Sequence, residues 1–322
     1  MICGLMVINK NARQSSGIFL LFLFIVLLTG CATPQTRQLL NSTPQLPRSV
    51  ELREVPFFPQ EAYQCGPAAL ATVLNESGVN ITPDELVPQV YLPKRKGSLQ
   101  FELLASSRRH GRIPYPLQPQ LVALMTEVAA GNPVLVLQNL GLSFFPFWHY
   151  AVVVGFDLDQ GHVILRSGVE ARRITPLTTF EHTWRRGDYW GVVVSAPNRL
   201  PQTAAELPYL EALLVMERLQ KWPEVAVAYE QALERWPQSL GVAMGLGNSL
   251  YALHDLSGAE AAFRMATLRH PEAAVAFNNL AQALAEQQRW QEAEAAAERA
   301  VALGGSHSAL FSQTLTQIQQ RP

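Results

Sequence analysis

Cys65 is the residue best placed in this sequence to do chemistry. The 322 residues hold three cysteines, Cys3, Cys31 and Cys65. Cys3 and Cys31 bracket an apolar run near the amino end, which leaves Cys65 as the lone thiol of the remaining chain. A thiol attacks as its thiolate. Cys65 stands just ahead of Gly66-Pro67-Ala68-Ala69-Leu70, a segment suited to open a helix, because a proline in the first turn gives up an N–H that has no intrahelical partner. A helix N-terminus offers free N–H groups and partial positive charge, so the position is expected to lower the thiol pKa. An activated thiol also needs a base, most often histidine. His110 ends a helical stretch among arginines, His162 sits at a hairpin turn and His182 lies in a short helical segment. His149 instead opens the apolar run Tyr150-Ala151-Val152-Val153-Val154-Gly155, where a strand would hold it at a sheet edge facing a cleft. Cys65 and His149 are therefore the expected nucleophile and base. No Cys/His ligand spacing and no glycine-rich phosphate loop is present, so neither metal nor other cofactor is expected.

Two textures surround this pair. From Val55 to about Ala196, helical segments precede β-branched runs. Helices are predicted from Gly66 to about Glu76, from the cap Thr82 with Pro83 in its first turn, from Leu99 to His110 with Ser98 as cap, and after Gln118-Pro119 to near Gly131. Strands are predicted at Val134–Leu137, Tyr150–Val154, Val163–Leu165, Arg172–Thr175 and Trp190–Val194. Helices first and an antiparallel sheet afterwards is an α+β layout. Leu142-Ser143-Phe144-Phe145-Pro146-Phe147-Trp148, just before His149, either walls a cleft or packs in the core.

From about Thr203 the chain turns to Ala, Leu, Glu and Gln at helical period, and it repeats. Tyr229, Ala232 and Pro237 return 34 residues later as Phe263, Ala266 and Pro271. Leu246-Gly247 and Leu280-Ala281 fall where the tetratricopeptide repeat has its Leu-Gly pair. This resembles three such repeats, about 206–239, 240–273 and 274–307, with a capping helix after them. The resemblance implies a concave face for a peptide or protein partner, on which Asn248, Asn278 and Asn279 could grip a peptide backbone.

The first texture also carries a family resemblance. Val55-Pro56-Phe57-Phe58-Pro59-Gln60, then Cys65-Gly66-Pro67-Ala68-Ala69-Leu70, then His149-Tyr150-Ala151-Val152-Val153-Val154-Gly155 is similar to the C39 cysteine peptidases, with similarity over roughly 55–195. The resemblance implies a papain-like fold, Cys65 as nucleophile, His149 as general base and Gln60 as oxyanion donor. Two departures stand out. Gln60 is five residues before the cysteine, where the family usually has six. The family's third member, an Asp about sixteen residues after the histidine, is absent: Leu165-Arg166-Ser167-Gly168 occupies that stretch. Asp157 would lie about 26 Å from His149 along an extended strand. A hairpin centred on Asp159 instead returns residues 167–169 opposite His149. Ser167 is thus the candidate orienter of the imidazole, with Asn139 on the preceding strand as another.

The ends address the protein. Lys10 and Arg13 precede an apolar run, Ile18 to Leu28, too short to span a bilayer comfortably and suited to a signal peptide. Leu28-Thr29-Gly30-Cys31 resembles the bacterial lipobox, which implies a signal peptide over 1–30 and lipidation of Cys31. Ala32 after it, in the Gram-negative sorting rule, implies an outer-membrane lipoprotein facing the periplasm. Residues 31–54 are expected to be a lipidated tether with a reach of roughly 25 Å. The peptidase-like domain is expected over 55–198 and the repeats over 203–322. A net charge of −1, with 16% charged residues and no basic block, argues against nucleic acid as a partner. The expected function is an envelope-anchored cysteine peptidase acting on a peptide or protein recruited by its repeats. The alternatives are a peptide-binding scaffold of weak or no activity, and thiol-dependent acyl or amide transfer.

Overall fold

A computed structural model describes residues 33–42, 45–60 and 64–320. The expected signal peptide and the lipidation site Cys31 lie outside the described residues. Helix α1 (Pro34–Ser42) and strand β1 (Ser49–Glu51) come first, followed by α2 (Cys65–Glu76), α3 (Pro83–Val90), the short pair β2 (Tyr91–Leu92) and β3 (Gly97–Ser98), and α4 (Gln100–Arg109). Then come β4 (Ile113–Pro116), α5 (Leu121–Ala129), β5 (Val134–Asn139), β6 (Trp148–Asp157), β7 (His162–Ser167), β8 (Glu170–Pro176), α6 (Leu177–Arg185) and β9 (Gly191–Ser195). Helices before an antiparallel sheet is the α+β arrangement expected.

The main sheet runs in the order β4-β9-β5-β6-β7-β8, and β1 pairs with the far half of β6. Alternation along β6 divides the core. Ala151 and Val153 face α5 and α6, while Tyr150, Val152 and Val154 face α2. Local chemistry fixes the helices. Thr82 and Glu85 form a capping box at the start of α3. α2 stops at Ser77 and at Gly78, whose φ of +89° suits glycine.

Two expectations are corrected. Residues 34–42 and 49–51 are not a coiled tether. The first N–H groups of α1, on Gln35 and Thr36, donate to the buried carboxylate of Glu181 at 3.2 and 2.7 Å. Leu39 enters the core, and β1 joins the sheet. Nor does Ser98 cap α4: Leu99 holds the cap position, and the Ser98 hydroxyl is buried without a hydrogen-bond partner.

Beyond the sheet lie three helix pairs, α7 (Glu206–Arg218) with α8 (Trp222–Arg235), α9 (Leu240–Ala252) with α10 (Leu256–Arg269), and α11 (Ala274–Glu286) with α12 (Trp290–Leu303), then α13 (Ser308–Gln319). Gln220, His254 and Gln288, each 34 residues on, adopt left-handed φ of 57°, 61° and 61° at the turn inside each pair. A Cβ on Gly247 would meet the Phe263 ring at 2.3 Å, and one on Gly245 would meet Tyr229 at 2.2 Å. Small residues thus let each aromatic fill the space between helices. The array is joined to the sheet domain by a shared core: Ile113 and Tyr115 of β4 pack with Tyr209, Leu213 and Met216 of α7. Buried Glu127 accepts the backbone N–H groups of Gln202 and Thr203 at 3.1 and 2.6 Å.

Candidate active site

One end of the sheet gathers Pro116, Asn139, Trp148, Ser167 and Gly191. His149, second residue of β6, stands at this end opposite Gln138. Its Nε2 lies 2.8 Å from the Ser167 hydroxyl, the last residue of β7. Ser167 is buried, so the ring is held from below the surface. Asp157, paired with His162 at the other end of the sheet, accepts the Gln160 N–H in the turn and takes no part. Asn139 is engaged elsewhere: its Oδ1 accepts the N–H groups of Gly141 and Phe147 at 3.0 and 2.9 Å.

Cys65 is the first residue of α2, free of disulfide and half-buried. Its sulfur is approached by the backbone N–H groups of Tyr150, Gly66 and Cys65 itself. Tyr150 follows His149 directly, so the thiol lies against the peptide that joins them. Tyr150 extends behind, its hydroxyl donating to the Ser98 carbonyl at 3.3 Å and its ring set edge-on to Trp190. Gln60 is tied to the same end: its backbone N–H donates to the Gly168 carbonyl at 3.0 Å, one residue beyond Ser167.

The electrostatics reverse one expectation. Burial pushes the Cys65 thiol up, outweighing the three N–H groups that favour thiolate. Burial, then the positive charge of Arg173, lowers His149 to about 4. At neutral pH the resting pair is therefore a neutral thiol and a neutral imidazole. The helix terminus acts, but desolvation wins because an apolar core closes behind the sulfur. Gly66 has another role than the tight turn its type suggests. Its φ is ordinary, and a Cβ there would meet the Ser98 Oγ at 2.3 Å.

The aromatic segment before His149 does not pack in the core. It folds as a tight hairpin closed by a Leu142–Phe145 bridge, with Phe144, Phe145 and Phe147 exposed. In the array, Asn279 Nδ2 donates to Asn248 Oδ1 at 3.0 Å, linking successive pairs, while Asn278 is buried. Asn278 is therefore not a surface grip. Among the described residues, no group of three or more His, Cys, Asp or Glu side chains is placed to hold a metal ion.

Residues 52–189 match the family model described as the Peptidase_C39 like family, and residues 217–267 and 244–308 match a tetratricopeptide repeat model. Nothing among curated proteins matches the chain. A C39-like peptidase from Bacillus anthracis is 16% identical, with 48% of this chain and 100% of that one covered and a TM-score of 0.41. The TPR2B domain of yeast Sti1, in its pHsp70 complex, is 20% identical over 35% of this chain and 98% of its own, with a TM-score of 0.33. The translocator chaperone SycD of Yersinia enterocolitica is 15% identical over 34% and 80%, also at 0.33.

Proposed function

With residues 52–189 belonging to the C39-like peptidase family and residues 217–308 to the tetratricopeptide repeats, we propose that this chain is a cysteine peptidase whose repeats deliver the peptide it cuts. The observation that carries this reading is the 2.8 Å contact between His149 Nε2 and Ser167 Oγ. In the tautomer with hydrogen on Nε2, the imidazole donates to Ser167 and leaves Nδ1 as the basic nitrogen. A serine fixes the ring as a neutral orienter, without the charge with which a carboxylate would stabilise imidazolium.

The chemistry then runs from a neutral pair. The Cys65 sulfur attacks a peptide carbonyl carbon as its proton passes to His149 Nδ1, forming the C–S bond and an oxyanion. The Cys65 N–H and the Gln60 amide hold that oxyanion. Collapse breaks the C–N bond, and His149 returns its proton to the leaving amine. Water, deprotonated by the same imidazole, cleaves the thioester and frees the acid and the thiol. Asn248 and Asn279 supply amides for a peptide backbone on the repeat array. We read Cys31 as the lipidated residue of a Gram-negative outer-membrane lipoprotein, with the protein facing the periplasm.

A peptide-binding scaffold is the second reading, favoured by the raised thiol and lowered imidazole, which leave little thiolate at rest. Iodoacetamide alkylation of the full chain at neutral pH separates the two. His149→Ala is expected to label Cys65 at least about tenfold more slowly than the wild type, because it lacks the base. Equal rates would leave the scaffold as the better account.

A further inference from the structure

The hairpin between β5 and β6 is built to present apolar rings. Phe144 is 84% exposed, Phe145 78%, Phe147 61% and Trp148 52%. Rings that open are not packed in the core. The presentation is firm: Asn139 holds both hairpin strands through Gly141 and Phe147, and Arg186 holds the Asn139 carbonyl at 3.1 and 3.0 Å. A Cβ at Gly141 would meet the Phe145 carbonyl oxygen, so the turn is close-packed as well. From Asn139 to Trp148 there is no charged residue. Val169, 77% exposed in the β7–β8 turn, stands at the same end of the sheet. Exposed apolar clusters of this kind mark interaction surfaces.

The described residues begin at this same end. Gln35 donates to the Pro119 carbonyl and accepts the Leu121 N–H, just past β4. Arg48 bonds Asp159 at the opposite end. α1 therefore runs away from the hairpin end, with its amino terminus there. Because α1 is docked, only Ala32 and Thr33 separate Cys31 from Pro34, at most about 10 Å of chain.

We propose that the aromatic hairpin inserts into the bilayer interface, so that the domain rests on the membrane with its Cys65–His149 end facing the lipid. This rests on Cys31 as the lipidated residue. A short leash leaves the hairpin end of the domain nearest the surface, and Phe and Trp are side chains suited to the headgroup boundary. Substrate would then enter along the membrane surface.

The test uses the full chain, processed in its bacterial envelope and reconstituted into vesicles of phosphatidylethanolamine with a minority of phosphatidylglycerol, with or without brominated acyl chains. Vesicle-bound protein is recovered by flotation, and the Trp148 emission is taken as the difference from Trp148→Phe. The expected result is that brominated lipid quenches most of that emission. A Phe144→Asp, Phe145→Asp variant should float equally well yet lose the quenching. Unquenched Trp148 in floated protein would overturn the insertion while leaving the anchor standing. Protein that fails to float would overturn the anchor and the insertion together.

Discussion

His149 sits in a place that resists its charge, and that resistance bears on the stability of the fold. An unfolded chain protonates this ring near 6.5, whereas the fold holds it to about 4. Between those values the unfolded state binds more protons, so stability rises with pH and falls as acid is added. The loss begins near pH 6.5, is complete below about 4, and amounts to about 3 kcal/mol. Urea midpoints of the wild type and His149→Gln, followed from about pH 7 to about pH 4, should show the wild type losing that much more than the variant. Parallel curves would mean that the ring is solvated. Ser167 was legible because hairpin arithmetic needs only strand rise and a turn centre. The direction of the thiol shift was not, because it depends on how much core closes behind Cys65, and Tyr150, Val152 and Val154 lie about ninety positions away.

At the scale of elements, α2 is held to β3 by the absence of a side chain. Gly66→Ala would set a methyl against Ser98 Oγ and Cβ, at 2.3 and 2.5 Å. The expected cost is about 1–3 kcal/mol of stability, measured by denaturant unfolding. Adding Ser98→Gly should recover most of it; a double variant no more stable than Gly66→Ala would mean that the contact is not the cause. Elements closed by their own residues were readable, as with Thr82 and Glu85 at the start of α3. α1 was not, since its N–H groups are satisfied by Glu181, some 145 positions on. β4 was obscured by Pro114 and Pro116, which read against a strand but are tolerated because, among the described residues, β4 pairs only with β9, at the edge of the sheet.

Over the whole molecule, the repeats and the sheet domain were separately legible, one through its 34-residue period and the other through its cysteine and histidine segments. Their union was not. It rests on Tyr115, whose hydroxyl accepts the Ala205 N–H at 3.1 Å, and on Glu127, which gathers the backbone at Gln202 and Thr203. In the function proposed above, this union would keep a peptide on the array in a fixed relation to Cys65. The central claim is that Cys65 cleaves peptide bonds, and peptide termini in cells that carry the protein read it directly. Cells carrying the full-length wild type are compared with cells carrying full-length Cys65→Ala. A set of new termini is expected only with the wild type, their uncut parents co-purifying with the variant. Identical termini in both, with no uncut parent retained, would contradict the account.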